Sequence, residues 1–273
     1  MEGYPYKKAR NEPADKQIWN DDYVHSSEKL PMDLALGRYK ADEFIYLVAC
    51  WIGNLEGKRI LKTDLREEAF GEDQILFSLP VTDSQICALD ICTATVQKAR
   101  MRQVDKGFRH DYINADVRKL PFRDNAFDLI LSTSTLDHFT NEGDFKKSLL
   151  ELKRVIKPTG CMILTLNNKC NPSFFVMLKL ERILGLKPFP VQFFNLAQLR
   201  KICKEINLSI KDASYIVHIL SPINNVLLLL RKFLSTKVVD KLAERYVSFA
   251  QWLGSKQRIK FLTGWFIAIK CVK

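Results

Sequence analysis

From Asp42 to Trp51 the apolar residues Phe44, Ile45, Leu47, Val48 and Trp51 recur at helical spacing, and Gly53 and Gly57 follow, which predicts a helix leading into a strand. That strand is Arg59–Thr63. Similar short runs rich in β-branched and aliphatic residues fall at Gln85–Leu89, Tyr112–Ile113, Phe127–Ser132, Cys161–Leu166, Ser214–Ile219 and Gly264–Val272, giving seven predicted strands. Amphipathic segments of helical length, including Thr95–Arg102, Phe145–Ile156 and Leu196–Ile206, lie between most of them. This alternation predicts an α/β fold with a doubly wound, mainly parallel sheet. The last two strands are separated differently: residues 222–260 carry Val226, Leu229, Leu230, Phe233, Val238, Leu242, Tyr246, Phe249 and Trp252 at helical spacing and read as an inserted helical cap.

Composition narrows the class. With 273 residues, 47% of them apolar, the chain can bury a core large enough for one domain with appendages. Its seven cysteines are scattered without a CxxC pair, so neither a disulfide framework nor a zinc knuckle is suggested. Met1 to Asn20 is polar and lacks the apolar stretch of a secretory signal, so the expected compartment is the cytoplasm. Runs such as Ser173–Leu186 are interrupted by charge and fall short of a transmembrane span.

Charge is unevenly placed. Residues 1–170 hold 25 Lys and Arg against 26 Asp and Glu, whereas residues 171–273 hold 17 against 5. A basic C-terminal third points to an anionic partner: a phosphate-bearing substrate, a membrane surface or nucleic acid. The plainer reading is a set of solvated helix faces.

Candidate chemistry begins where the strand Ile86–Leu89 ends on Asp90. One carboxylate accepts from two hydroxyls, so an acid at this place can grip a ribose diol, although a strand-terminal Asp is also an ordinary helix cap. One βα unit later comes Asn114-Ala115-Asp116-Val117-Arg118-Lys119-Leu120-Pro121-Phe122-Arg123-Asp124-Asn125-Ala126-Phe127-Asp128-Leu129-Ile130. Then follow Ser132-Thr133-Ser134-Thr135-Leu136-Asp137-His138-Phe139 and the segment LLELKRVIKPTG over Leu149–Gly160.

In this order the segments resemble those of class I S-adenosylmethionine-dependent methyltransferases, over about residues 40–220 and Gly264–Val272. The resemblance implies a Rossmann-like seven-stranded sheet of order 3-2-1-4-5-7-6, with residues 1–40 an N-terminal extension, 41–221 and 261–273 the α/β domain, and 222–260 the inserted cap. It implies S-adenosyl-L-methionine as cofactor, with Asp90 at the ribose, Asp116 and Val117 at the adenine, and Ile91, Ser132 and Thr133 also among the cofactor-binding residues. One departure matters. Where the family has a glycine-rich loop after the first strand, this chain reads Ile60-Leu61-Lys62-Thr63-Asp64-Leu65-Arg66-Glu67-Glu68-Ala69-Phe70-Gly71. Glycines let backbone approach a cofactor closely, so the loop is either reshaped or has lost the site. In a reshaped loop Asp64, Glu67 or Glu68 accepts from the methionine ammonium.

For methyl transfer to a hydroxyl the only catalytic side chain required is a base. His138, with Asp137 as its orienter, is the candidate, and loop buttressing is the competing role. Asn167, Asn168 and the Asn171-Pro172 turn are expected at the same rim. The function expected is methyl transfer to a small-molecule, sugar or lipid-linked anionic acceptor, most simply at oxygen, with peripheral membrane contact through the basic third. A degenerate methyltransferase-like binding protein is the alternative, and a nucleic-acid methyltransferase ranks third because no nucleic-acid-binding module accompanies the charge.

Overall fold

The computed structural model describes residues 32–71, 74–81, 86–139, 141–183 and 191–273. Most of the expected N-terminal extension, and Gln85 at the start of the second predicted strand, lie outside them. Seven strands form one sheet of order β3-β2-β1-β4-β5-β7-β6, as the motif order implied. They are β1 Ile60–Thr63, β2 Ile86–Asp90, β3 Asp111–Asn114, β4 Phe127–Thr133, β5 Ile156–Asn167, β6 Ser209–Ile216 and β7 Phe266–Val272. Strands β3 to β5 pair in parallel, and β7 runs antiparallel between β5 and β6. All four residues of β1 are buried, as expected for a strand covered on both faces.

Two apolar layers sandwich the sheet. On one face α1 (Leu34–Ile52) and α3 (Thr93–Asp105) bring Leu36, Phe44, Val48, Val96 and Ala99 together with Ile60, Ile86 and Leu129. On the other, α4 (Glu142–Val155) and α6 (Leu196–Glu205) pack Phe145, Leu149, Leu152, Leu199 and Ile202 against Leu61, Ile130 and Ile267. Capping follows the sequence. Asn141 accepts from Asp144 N at 2.7 Å to start α4, and Asn195 with Gln198 forms a reciprocal capping box at α6.

Two elements depart from the sequence reading. Helix α1 begins at Leu34 rather than near Asp42, because Asp33 caps it, accepting from Ala35 N at 3.0 Å. Strand β6 runs from Ser209 to Ile216 rather than Ser214 to Ile219. As the sheet edge, β6 carries exposed polar residues such as Lys211 and Asp212, whereas Val217 turns at φ 60° and Val217, His218 and Ile219 enter the core as a loop. Their apolar character reflects loop burial rather than strand pairing.

Between β6 and β7 lie α7 (Ser221–Leu230), α8 (Thr236–Ser255) and α9 (Lys260–Thr263). They contact α5 (Pro172–Ile183) and α1, and Leu227, Val239, Ala243 and Ala250 join the same apolar layer as α1 and α3. Among the described residues, no helix is long and apolar enough to cross a membrane.

Candidate functional site

The strand order reverses between β1 and β4, and in open α/β sheets ligands bind beside that reversal, at the carboxyl ends of the strands. Here Thr63 pairs in register with Ser132, and the Thr63 hydroxyl donates to Ser132 Oγ at 2.9 Å while lying 2.8 Å from Thr135 Oγ1. Just beyond the strand ends, Asp64 follows β1 at φ 71° and Ser134 follows β4 at φ 48°. Two non-glycine residues in left-handed backbone at neighbouring strand ends hold local strain where a ligand would approach. Thr133 Oγ1 is buried there with no hydrogen-bond partner among the described residues.

Asp90 ends β2. One carboxylate oxygen accepts from Leu65 N at 3.0 Å and the other from Cys92 N at 2.8 Å. A carboxylate offers about four acceptor directions, so one remains on each oxygen, the number a vicinal diol needs. Burial pushes its pKa up to about 6, against the lowering effect of the two backbone donors. Asn114 fixes the turn that follows by donating to the carbonyls of Asp90 at 3.1 Å and Ile91 at 2.8 Å.

In place of a glycine loop, the chain has a buried ion-pair cluster at β1 and the short helix α2 (Arg66–Phe70). The Lys62 ammonium, wholly buried, lies 2.9 Å from Glu68 Oε2 and 3.4 Å from Glu67 Oε2, while Lys40 of α1 reaches Glu67 Oε1 at 3.0 Å. Glu68 Oε1 accepts from Leu76 N at 3.1 Å. Burial alone would lower the Lys62 pKa, but Glu68, Glu67 and Asp64 outweigh it and hold the ammonium above the ordinary lysine value. Burial opposes ionisation of Glu67, yet Lys40 and Lys62 hold it below the carboxylate range. Both glutamates are therefore committed to lysines within the chain.

Asp64 differs. Its side chain accepts from Arg66 N at 2.7 Å and makes no ion pair among the described residues. Burial first, then the charges of Glu67 and Asp90, raise its pKa well above the usual value. The Lys62 ammonium offsets this only in part, and a bound ammonium would add a second cation beside the carboxyl. With the two acceptor directions left on Asp90, this makes the strand ends fit the cofactor.

Asp116 is gripped by Arg118, whose Nε and Nη2 approach its two oxygens at 2.8 to 3.1 Å and whose backbone N donates at 2.8 Å. Arg118 also reaches Asp144 at 3.1 Å. An adenine amino group would share a carboxylate already oriented by this fork, with Val117 buried beside it.

Asp137 is fully buried in the one-turn helix Leu136–His138 and accepts from Ser134 Oγ at 3.0 Å and Asn167 N at 3.0 Å, which ties the turn after β4 to the end of β5. His138, half-buried, is the next residue of the same turn. Asn168 and Asn171 are buried clamps. Asn168 donates to the carbonyls of Phe261 and Gly264 at 2.8 and 2.9 Å, and Asn171 to Gly264 at 3.1 Å.

Sequence reasoning missed Lys62, Lys40 and Arg118. A lysine inside an otherwise apolar strand, followed five and six positions later by two glutamates, was the available signal for the first.

Comparison with known proteins agrees with this architecture. Residues 68–164 match the methyltransferase domain family. The ubiquinone/menaquinone biosynthesis C-methyltransferase UbiE of Ectopseudomonas mendocina is 33% identical over 91 residues, which span 32% of this chain and 34% of that relative. Among solved structures, a Thermotoga maritima methyltransferase described as a possible histamine N-methyltransferase superposes with TM-score 0.58 at 14% identity, covering 94% of this chain and 98% of that one. Magnesium protoporphyrin IX methyltransferase from Synechocystis, solved with bound S-adenosylhomocysteine, gives TM-score 0.57 at 14% identity over 75% of this chain and 93% of that one. Residues 68–164 thus carry a methyltransferase domain, and the sheet built around them has the fold of the class I S-adenosylmethionine-dependent methyltransferases, while the match to the curated relatives spans about a third of their length.

Proposed function

We propose that this protein binds S-adenosylmethionine at the ends of β1, β2 and β4 and transfers its methyl group to a small-molecule, sugar or lipid-linked acceptor, at oxygen. The observation that carries the reading is Asp90, buried at the tip of β2 with one acceptor direction free on each oxygen. When bound, the cofactor supplies an electrophilic methyl on a sulfonium. Asp90 accepts the ribose hydroxyls, Ile91 and Val117 line the adenine, and Asp64 accepts from the ammonium. Ser132 and Thr133 form the wall beneath, where the Thr133 hydroxyl has a lone pair and a proton to offer. His138 receives the acceptor hydroxyl's proton on a ring nitrogen, and Asp137 holds the turn carrying it.

A degenerate binding protein is the second reading, favoured by the internal pairing of Glu67, Glu68 and Asp116. Calorimetry with S-adenosylhomocysteine separates the two. The proposal expects saturable binding that Asp90→Ala weakens by about tenfold or more, the loss of charge-assisted hydrogen bonds of roughly 1.5–3 kcal/mol each. No binding by the parent protein, or equal binding by Asp90→Ala, would overturn it.

A further inference from the structure

Among the described residues, large apolar side chains that remain exposed are unevenly distributed: of nineteen, fourteen lie between Phe175 and Leu262. The best ordered group is on α8. Val238, Leu242, Arg245, Phe249 and Trp252 recur at alternating steps of four and three residues, so they form one stripe along about 21 Å of helix. The apolar members are 39 to 52% exposed. A separate stripe, Val239, Ala243 and Ala250, faces the core, so burial of α8 in the fold does not account for the outer one. At the turn between α7 and α8, Phe233 is 77% exposed.

The charge around this stripe is predominantly basic. Residues 221–263 hold eight Lys and Arg against two acids, and one of those acids, Asp240, is held by Arg231 at 2.8 Å. Lys232, Lys237, Lys241, Arg245 and Lys256 are exposed, and the Lys256 ammonium sits 4.8 Å from the centre of the Trp252 ring, which stacks on Phe249 at 5.7 Å.

We infer that the outer face of α8, with the α7–α8 turn, lies on the surface of an anionic phospholipid bilayer, apolar side chains in the headgroup boundary and basic ones against phosphates. Apolar burial and charge attraction add in such a helix, and the long stems of Arg and Lys let the charge reach the headgroups. A second copy of the chain suits the face less well. Arg245 lies mid-stripe, so a helix packed on its own copy would bury like charges in a dry seam.

The inference is independent of methyl transfer, since it is read without cofactor or acceptor. The full chain is sedimented with vesicles of phosphatidylcholine alone and of equal parts phosphatidylcholine and phosphatidylglycerol, at low and raised salt. Binding is expected on the anionic vesicles and is expected to fall with salt. Phe249→Ser/Trp252→Ser should weaken it by about tenfold or more, because two aromatic faces no longer leave water. Lys237→Glu/Lys241→Glu should weaken it and flatten the salt dependence, and all four positions being exposed, thermal melting should be unchanged. Three results would overturn the inference: no sedimentation with anionic vesicles at low salt, full binding by the aromatic variant, or a dimer in solution that the aromatic variant abolishes.

Discussion

Asp90 answers two opposed demands. In the folded chain without ligand its charge is disfavoured by burial, which places its pKa at about 6 against the ordinary 3.8. The raised value means that its contribution to stability is fully present below pH 3.8 and is lost as pH rises through about 6. Ribose hydroxyls donate to the charged form, so the sign reverses for binding. Affinity for S-adenosylhomocysteine should hold above pH 6, fall by up to about tenfold per unit below it, and be accompanied there by proton release. Calorimetry in buffers of different ionisation enthalpy measures both. Asp90→Asn, which cannot titrate, should show a flatter profile, and an unchanged profile would assign the titration to another group. His218 is a contrasting case: burial lowers its pKa to about 4, and its ring serves packing, with Nδ1 2.8 Å from Thr263 Oγ1.

At the level of elements, α8 comes close to His218 through Gly254, where an added Cβ would stand 2.6 Å from the imidazole Cδ2. Glycine near a helix end usually gains up to about 1 kcal/mol on replacement by alanine. Here the gain should be reversed. Gly254→Ala is expected to destabilise by about 1–3 kcal/mol through overpacking, read as a lower denaturant midpoint with unchanged slope. The elements legible in the sequence were those whose apolar period matched their burial, such as β1, β4 and α4. The loop Val217–Ile219 was misread because it is as apolar as a strand and buried like one, yet φ 60° at Val217 removes it from the ladder. Likewise Asp64 and Asp90 were legible from their places at strand ends. The bonds that commit Glu67 and Glu68 to Lys62 and Lys40 were not, because Lys40 comes from another helix and nothing in local spacing brings it near.

Across the whole molecule, the helices after β6 are fastened to the start of α1. Arg231 lies 2.7 Å from the fully buried Asp33 carboxylate, and Asn224 accepts from Asp33 N at 2.8 Å. Arg231 and Lys232 are adjacent basic residues at the end of α7. They are not equivalent. Arg231→Glu should cost about 2–3 kcal/mol by leaving a buried acid facing another acid, whereas Lys232→Glu should stay within about 0.5 kcal/mol. Chemical denaturation of the two single variants distinguishes them.

The antiparallel position of β7 also governs the order in which the sheet is assembled. Among the described residues β6 hydrogen-bonds only to β7, and β7 lies between it and β5. Until Phe266–Val272 is inserted, β6 has no partner and the outer edge of β5 is an open template for a foreign strand. Of the three helices that precede β7, α8 packs on α1, with Val239 and Ala243 in the apolar layer they share, and α7 and α9 pack on α8. Their docking shortens the loop to be closed before that insertion, so the helical segment works as a clasp that brings the last strand to the gap and limits the time the half-built sheet is open to aggregation.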